Sequence, residues 1–479
     1  MSRAKLFLEN FFAYGFINVL NKVIPFLLLP VITRMLSDPS DFGVYDMYNT
    51  IVGFGSPLAM LGMYDAMFRE YFEKDDQEYR YNVTTTANRI IMVTSIIVGA
   101  ILLLFNSSFS KLFFGTPIYG SIVIFSAIEL VISNNKTLIA APTRIQNKRR
   151  VYVSSGLFSS LSYYLLTILL IYLGYSYFGM IYANIISSLL LLLFFWILNK
   201  NFFTLGNFDK GIAKELLKIG IPLVPTFLIY WVYNSMDKVM ITNMLGTAEL
   251  GIYSIGSKVA SISSLVYAAF AGGWQYFAFS TMKDEDQVTL NSKVFEYLGA
   301  ISYTSLLVLY PLISPLFNIL FPEAYLSGIA VVPYLYLSPL LLMLFQVVGN
   351  QFIVIKKSYW STITLSIGAL ANVIVNLILI PIMGVEGAAI ATLIGYSLSV
   401  VVVCVITGRL KLHVTSKRFL LSSTVLIIYL VIVRVFFYNS IISQMFLSLI
   451  CILTYIFIYK MEVSIIYYKI KSLLNMNNK

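Results

Sequence analysis

Runs of about twenty mostly apolar residues, each ended by a short polar or glycine- and proline-containing break, recur along almost the whole chain. Fourteen are legible, centred near Leu20, Val52, Val98, Val131, Thr167, Leu189, Ile229, Ser261, Ser305, Leu340, Ala369, Leu393, Ile428 and Ile450. In hydrocarbon a backbone satisfies its own polar groups only as a helix or a closed barrel, and runs of this length fit helices. The pattern predicts an all-α polytopic membrane protein with about 14 transmembrane helices. Met1–Leu8 places Arg3 and Lys5 ahead of the first run. That run is too long for a leader and lacks a small-residue cleavage site, so it reads as a first span. No break is long enough to house a separate domain.

The runs are related to one another. Ile32-Thr33-Arg34-Met35-Leu36, then Asp41-Phe42-Gly43-Val44-Tyr45, returns as Ile241-Thr242-Asn243-Met244-Leu245, then Glu249-Leu250-Gly251-Ile252-Tyr253. The offset is 209 in the first part and 208 after a one-residue gap. The same 208 relates Phe109, Leu112, Phe113 and Gly120 to Phe317, Leu320, Phe321 and Gly328, and Gly179, Ala183 and Ile186 to Gly387, Ala391 and Ile394. One offset held across separated stretches marks a duplication. It predicts two six-helix lobes, residues 1–208 and 209–416, followed by two additional transmembrane helices and a tail in 417–479. Six is even, so the repeats run parallel, an arrangement that builds transporters around a central cavity. Lys210, Lys214, Leu217 and Lys218 at helical spacing predict a short amphipathic linker helix between the lobes.

Composition narrows the class. The 479 residues are 59% hydrophobic and 11% charged, against roughly 25% charged in soluble domains, which excludes a soluble catalytic domain and a nucleic-acid binder. Cys404 and Cys451 lie inside apolar runs, so no disulfide framework is expected. The net charge of +11 is unevenly distributed. Of 33 Lys and Arg, 24 fall in connections on the side that holds both chain ends, and three (Arg34, Lys111 and Arg434) on the other. The positive-inside bias then predicts cytoplasmic termini.

The run Asn234-x-x-Asp237-Lys238-x-Met240-Ile241, followed by Leu245-Gly246-x-x-Glu249-Leu250-Gly251-Ile252-Tyr253 and Lys258, resembles the start of the second half of Wzx-type polysaccharide flippases, members of the multidrug/oligosaccharidyl-lipid/polysaccharide (MOP) exporter superfamily. Asp41-Phe42-Gly43-Val44-Tyr45 is similar to the first-half counterpart, and span number, repeat and loop lengths extend the resemblance over essentially the whole chain. It implies a MATE/MOP-like fold in a bacterial cytoplasmic (inner) membrane. The implied activity is translocation of undecaprenyl-pyrophosphate-linked oligosaccharide repeat units for O-antigen, capsule or another surface polysaccharide. The implied partners are that lipid-linked oligosaccharide, membrane lipid, a polysaccharide polymerase and a chain-length regulator, with no nucleic acid. A transporter of this kind is not an enzyme and is expected to carry neither cofactor nor resident metal.

A charge at mid-bilayer costs about 2.5–3.5 kcal/mol even on the lenient insertion scale, so such residues face water or a partner. Lys22 lies inside the first span, Lys238 in the seventh and Lys258 in the eighth, with Arg34 at an end of the first. These are the candidate bases of a cationic cavity between the lobes, suited to pyrophosphate or acidic sugars. The competing reading pairs them internally, Lys238 with Asp237 or another carboxylate, or lets them snorkel to an interface. Asp46, Glu129 and Asp237 are candidates for a coupling cation, and Glu129 shares a helix face with Lys136. Tyr230, Trp231 and Tyr233 are candidates for sugar stacking, against a default of core and interface packing. No phosphate-binding glycine loop occurs, which argues against direct ATP use.

Two other functions compete. A MATE-like cation-coupled multidrug exporter shares the architecture, but a cavity for cationic drugs calls for more acid than base. A membrane polysaccharide polymerase or glycosyltransferase generally needs a large loop or domain carrying catalytic acids, and here the connections on the base-poor side are short.

Overall fold

The structure is a computed structural model and describes residues 23–36, 38–282, 284–462, 464 and 465. Lys22 and most of the first span lie outside the described residues. Ten helices among them are long and apolar enough to cross a membrane. Counting the bent pair Pro39–Met60 and Met63–Tyr71 as one span makes eleven, and dividing Tyr359–Arg409 at Gly384 makes twelve among the described residues.

They follow the predicted order. Helix α1 is described over Val23–Met35. Helix α2 (Pro39–Met60) continues through a 42° bend as Met63–Tyr71. Next come α3 (Gln77–Leu104), α4 (Gly120–Ile145), α5 (Arg149–Tyr172) and α6 (Ser176–Asn199). The second set opens with α7 (Val224–Leu245) and α8 (Thr247–Ala260, resumed as Ser263–Ser280). It continues with α9 (Gln287–Leu320) and α10 (Val332–Val354). The helical stretch Tyr359–Arg409 is two spans, α11 (359–383) and α12 (385–409), separated at Gly384 with φ 63° and ψ −141°. Helices α13 (Lys417–Phe436) and α14 (Ile441–Ile458) complete the bundle.

Gly384 turns the chain back on itself. A Cβ on Gly387 would fall 2.4 Å from the Leu379 carbonyl oxygen, and one on Gly395 would fall 2.9 Å from that of Gly368. Residues 379 and 387 therefore touch, as do 368 and 395, which is an antiparallel hairpin packed backbone to backbone. The first repeat contains the same joint, with a Cβ on Gly179 falling 3.1 Å from the Ile171 nitrogen. Both pairs stand 208 residues apart, the offset of the sequence repeat.

Helix starts follow capping chemistry. Asp38 Oδ1 accepts the Ser40 amide at 2.8 Å with Pro39 at the first helical position, Asp76 and Asp209 cap α3 and the linker helix, and Ser416 caps α13. Asp41, in the first turn of α2, accepts from Ser176 Oγ. The linker helix Lys210–Gly220 buries Ile212 and Leu216 against Met63 and Met67 and leaves Lys210, Lys214 and Lys218 exposed. Gly62 (φ 66°) and Gly220 approach so closely that a Cβ on either would lie within 2.5 Å of the other segment's backbone oxygen. The linker is thus fastened to the α2 extension. At the other end of the chain, α13 and α14 pack against α9, with Phe419 filling the space beside Gly299 and Tyr303 bonded to Ser423 at 3.1 Å.

The bundle's outer faces carry exposed Leu104, Leu165, Ile427 and Phe457, as hydrocarbon contact requires. The linker helix, Lys356–Lys357 and Lys411 mark one end of the bundle as base-rich, and the α1–α2, α7–α8 and α11–α12 turns mark the base-poor end.

Candidate functional site

The repeats meet where the first turns of α2 and α8 cross. A Cβ on Gly43 would lie 1.9 Å from the Thr247 carbonyl oxygen, and one on Gly251 would lie 1.9 Å from that of Pro39. Only glycine permits this approach, and it does so twice, once from each copy of the motif.

One helical turn below the crossing, the same faces carry charge. Lys238 Nζ on α7 lies 2.9 Å from Asp46 Oδ2 on α2, with side chains 20% and 7% exposed. Ser254 Oγ on α8 donates to the same oxygen at 2.7 Å. The pair joins the two repeats, and its burial makes it strong only while both partners stay in place. Asp237 turns away from Lys238's partner. It accepts the Tyr253 hydroxyl and, at 2.8 Å, the Lys238 backbone amide, so its bonds lie within the second repeat.

Lys258 sits over the Phe42 ring, 5.6 Å from its centroid. With Asp46, Asn49, Tyr45 and Tyr163 it lines a cavity of about 210 Å³. Tyr45 stacks between Tyr48 and Tyr163, and Tyr48 accepts from Asn184 at 3.3 Å. From there a polar path continues through α6 to Glu129. Ser188 donates to Glu129 Oε1 at 2.7 Å and accepts from Lys136 Nζ at 3.0 Å, while Glu129 Oε2 is buried without a hydrogen-bond partner.

The remaining predicted residues are held elsewhere. Arg34 donates through Nη2 to the Ile319 carbonyl at 2.9 Å, and its repeat equivalent Asn243 donates to the Leu112 and Phe113 carbonyls at 3.1 and 3.2 Å. Each therefore clamps the other half at the base-poor end. Trp231 donates its indole N–H to the Thr50 carbonyl at 3.1 Å and packs edge-on against Phe54 and Phe113. Tyr230 is half-buried. Tyr233 is enclosed in the second repeat, stacked on Tyr396 and bonded to Ser399 Oγ at 2.6 Å, so its ring is unavailable to a sugar. Lys22 is outside the described residues.

Sequence reasoning missed Ser254, Tyr253 and Ser188. The first was within reach, because it is Asp46 displaced by the repeat offset. It also passed over Glu386, which lies inside an apolar run and is bound by Arg434 through Nε at 2.5 Å and Nη2 at 2.6 Å.

Chemically, the centre offers a buried base neutralised by an acid from the opposite repeat, a second base over an aromatic face, and a carboxylate with one oxygen unused. Such a set can exchange partners with an anion or a proton.

The model of a family described as polysaccharide biosynthesis protein matches residues 31–330. An uncharacterized membrane protein of Methanocaldococcus jannaschii is 28% identical over 197 residues, 40% of this chain and 38% of that protein, so the chain spans about two fifths of the curated relative. Among solved structures, the Lipid II flippase MurJ in an inward closed conformation aligns with a TM-score of 0.70 at 15% identity, covering 95% of this chain and 99% of that one. An inward-facing multidrug resistance MATE family transporter of the MOP superfamily aligns with a TM-score of 0.61 at 16% identity, covering 82% and 94%. At these identities the likeness is one of fold. The family model is matched over more than half of the chain, so the chain belongs to the polysaccharide biosynthesis protein family, with a fold like that of the MurJ and MATE structures.

Proposed function

We propose that this protein carries an undecaprenyl-pyrophosphate-linked oligosaccharide across a bacterial cytoplasmic membrane by alternating access between lobes 1–208 and 209–416, with both termini cytoplasmic. The base-rich end is then cytoplasmic, and the product feeds a surface-polysaccharide polymerase.

The observation that carries this reading is the Asp46–Lys238 pair beneath the Gly43–Gly251 crossing. Links between the repeats gather toward the base-poor end: this pair, the Arg34 and Asn243 clamps, and Tyr325 bonded to the Leu36 carbonyl at 3.4 Å. A structure sealed at that end is ready to receive cargo from the other. A pyrophosphate reaching Lys238 and Lys258 competes with Asp46 for the same ammonium. Each charge-assisted bond it gains there is one the latch loses, and a ligand shifts a conformational equilibrium only by such a difference in affinity. Protonation of the released Asp46 would hold the latch open and loss of that proton would re-form the pair with Lys238, so uptake and release of a proton there would supply the coupling. The multidrug-exporter reading is disfavoured by the same geometry, since Asp46 is already neutralised by a lysine.

The test is flipping of fluorescent undecaprenyl-pyrophosphate oligosaccharide in proteoliposomes. Wild type is expected to equilibrate the lipid between leaflets, and Lys258→Ala to slow it at least tenfold while inserting normally. Equal rates in the two, or no flipping by wild type, would refute the proposal.

A further inference from the structure

The repeats do not account for α13 and α14, yet this pair closes a cavity of about 370 Å³ against α9, α10 and α12 at the base-poor end. That volume lies in the range of small-molecule sites. Its polar centre is the bidentate Arg434–Glu386 pair, joined by the Tyr334 hydroxyl, which donates to Glu386 Oε1 at 3.2 Å. Arg434 is 40% exposed and Glu386 8%. Tyr438 lies 5.0 Å from the guanidinium, and the exposed amides of Asn318 and Asn439 complete the lining. The wall is fixed in advance, because Gln444 donates to the Phe437 and Tyr438 carbonyls at 3.0 and 2.8 Å and holds the α13–α14 turn.

The chemistry of this lining selects among ligands. A phosphate would have to displace Glu386 from a bidentate guanidinium with no second cation among the lining residues to help it. An ammonium would need an uncommitted carboxylate. What remains is a balanced array of donors and acceptors, two amides among them, beside tyrosine faces. That array matches a neutral polyhydroxylated ring, whose hydroxyls both donate and accept and whose C–H face packs on aromatics.

We propose that the cavity between α9, α10, α12 and the α13–α14 pair is a saccharide-binding subsite, in which Glu386, Arg434, Asn318 and Asn439 engage sugar hydroxyls and Tyr438 packs on the ring. It takes the glycan portion of the cargo at the end opposite the base-rich loops. It relies on the proposed function only for how the sugar arrives.

The full chain in lipid nanodiscs is probed by saturation-transfer NMR with free N,N′-diacetylchitobiose, lactose and maltose, and with inorganic phosphate and choline for comparison. At least one disaccharide is expected to show millimolar binding. Its affinity should weaken at least fivefold in Tyr438→Ala and in the Asn318→Ala/Asn439→Ala double variant, both at exposed positions. Glu386→Gln, which keeps the side-chain shape, should weaken it as well. Saturation no greater than in empty nanodiscs, affinity unchanged in all three variants, or choline or phosphate competing at the same site would overturn the subsite. Lipid flipping is measured separately, so sugar binding without flipping removes the proposed function and leaves the subsite standing, and flipping without sugar binding does the reverse.

Discussion

Asp46 and Ser254 occupy the same position of the two repeats, 208 residues apart, and touch: the serine hydroxyl donates to Asp46 Oδ2 at 2.7 Å. A contact between equivalent positions places them beside the axis that relates the repeats. The Lys238 ammonium is the third member of that contact. The three-way contact therefore sits where the two halves face each other.

Removing one partner of this pair strands a buried charge. Lys238→Ala and Asp46→Ala are each expected to destabilise the folded protein by about 3–5 kcal/mol, with an Asp46→Leu/Lys238→Met double variant recovering most of the loss. Melting temperatures of the purified variants in detergent decide it. Additive losses in the double variant would mean the two side chains act independently.

Substituting Gly43 or Gly251 brings a methyl group within 1.9 Å of a carbonyl oxygen. Neither helix can relieve this by a rotamer change, so the crossing must open. Gly43→Ala and Gly251→Ala are expected to raise the accessibility of a cysteine placed at Ser254 to a polar thiol reagent, at a cost of about 1–3 kcal/mol or more in stability. Unchanged labelling would show that the crossing does not seal this end.

Gly384 separates two kinds of cost. No atom lies within 4 Å of a Cβ built there, yet its φ of 63° and ψ of −141° fall where L residues are strained. Gly384→Ala should lose about 1–3 kcal/mol through backbone conformation alone, whereas Gly387→Ala should lose stability through collision with Leu379. Stability of Gly384→Ala equal to wild type would place the turn elsewhere.

His413, the chain's lone histidine, lies in the α12–α13 connection, 3% exposed, with Nδ1 3.4 Å from Ser292 Oγ and its ring edge-on to Phe295. Burial pushes its pKa down from 6.5 to about 4. The unfolded chain then binds a proton that the folded chain refuses across that window. Stability should be full above about pH 6.5 and fall by roughly 3 kcal/mol as pH drops toward 4. His413→Gln should flatten this part of the pH–stability curve, and an unaltered curve would assign the acid sensitivity to other groups.

Span order and the repeat were legible because each rests on many residues. Twenty apolar positions outvote any exception, and the motif glycines cannot be replaced where backbones touch. Side-chain partners were less legible. Asp237 and Lys238 are neighbours in sequence, but successive helix positions diverge by about 100°, so one faces Tyr253 on α8 and the other reaches across to α2. Trp231 and Tyr233 looked alike as polar-tipped rings in a span; one caps the Thr50 carbonyl of the other repeat and the other is sealed behind Tyr396. Composition carries no record of which face points where.

The close seating of Gly62 on Gly220 limits how far the molecule can open. The linker helix is anchored to the first repeat up to that glycine, and only the 3₁₀ turn Ile221–Leu223 separates it from α7. That turn advances about 2.0 Å per residue, and a fully extended chain about 3.3–3.6 Å. Across the few residues concerned, the start of α7 has a free stroke of roughly 6 Å before the linker must peel away. Under the proposed alternating access, the short tether would make the second repeat swing about its own attachment point, and a large gape on the base-rich side would have to develop away from α7, at α9 and α11.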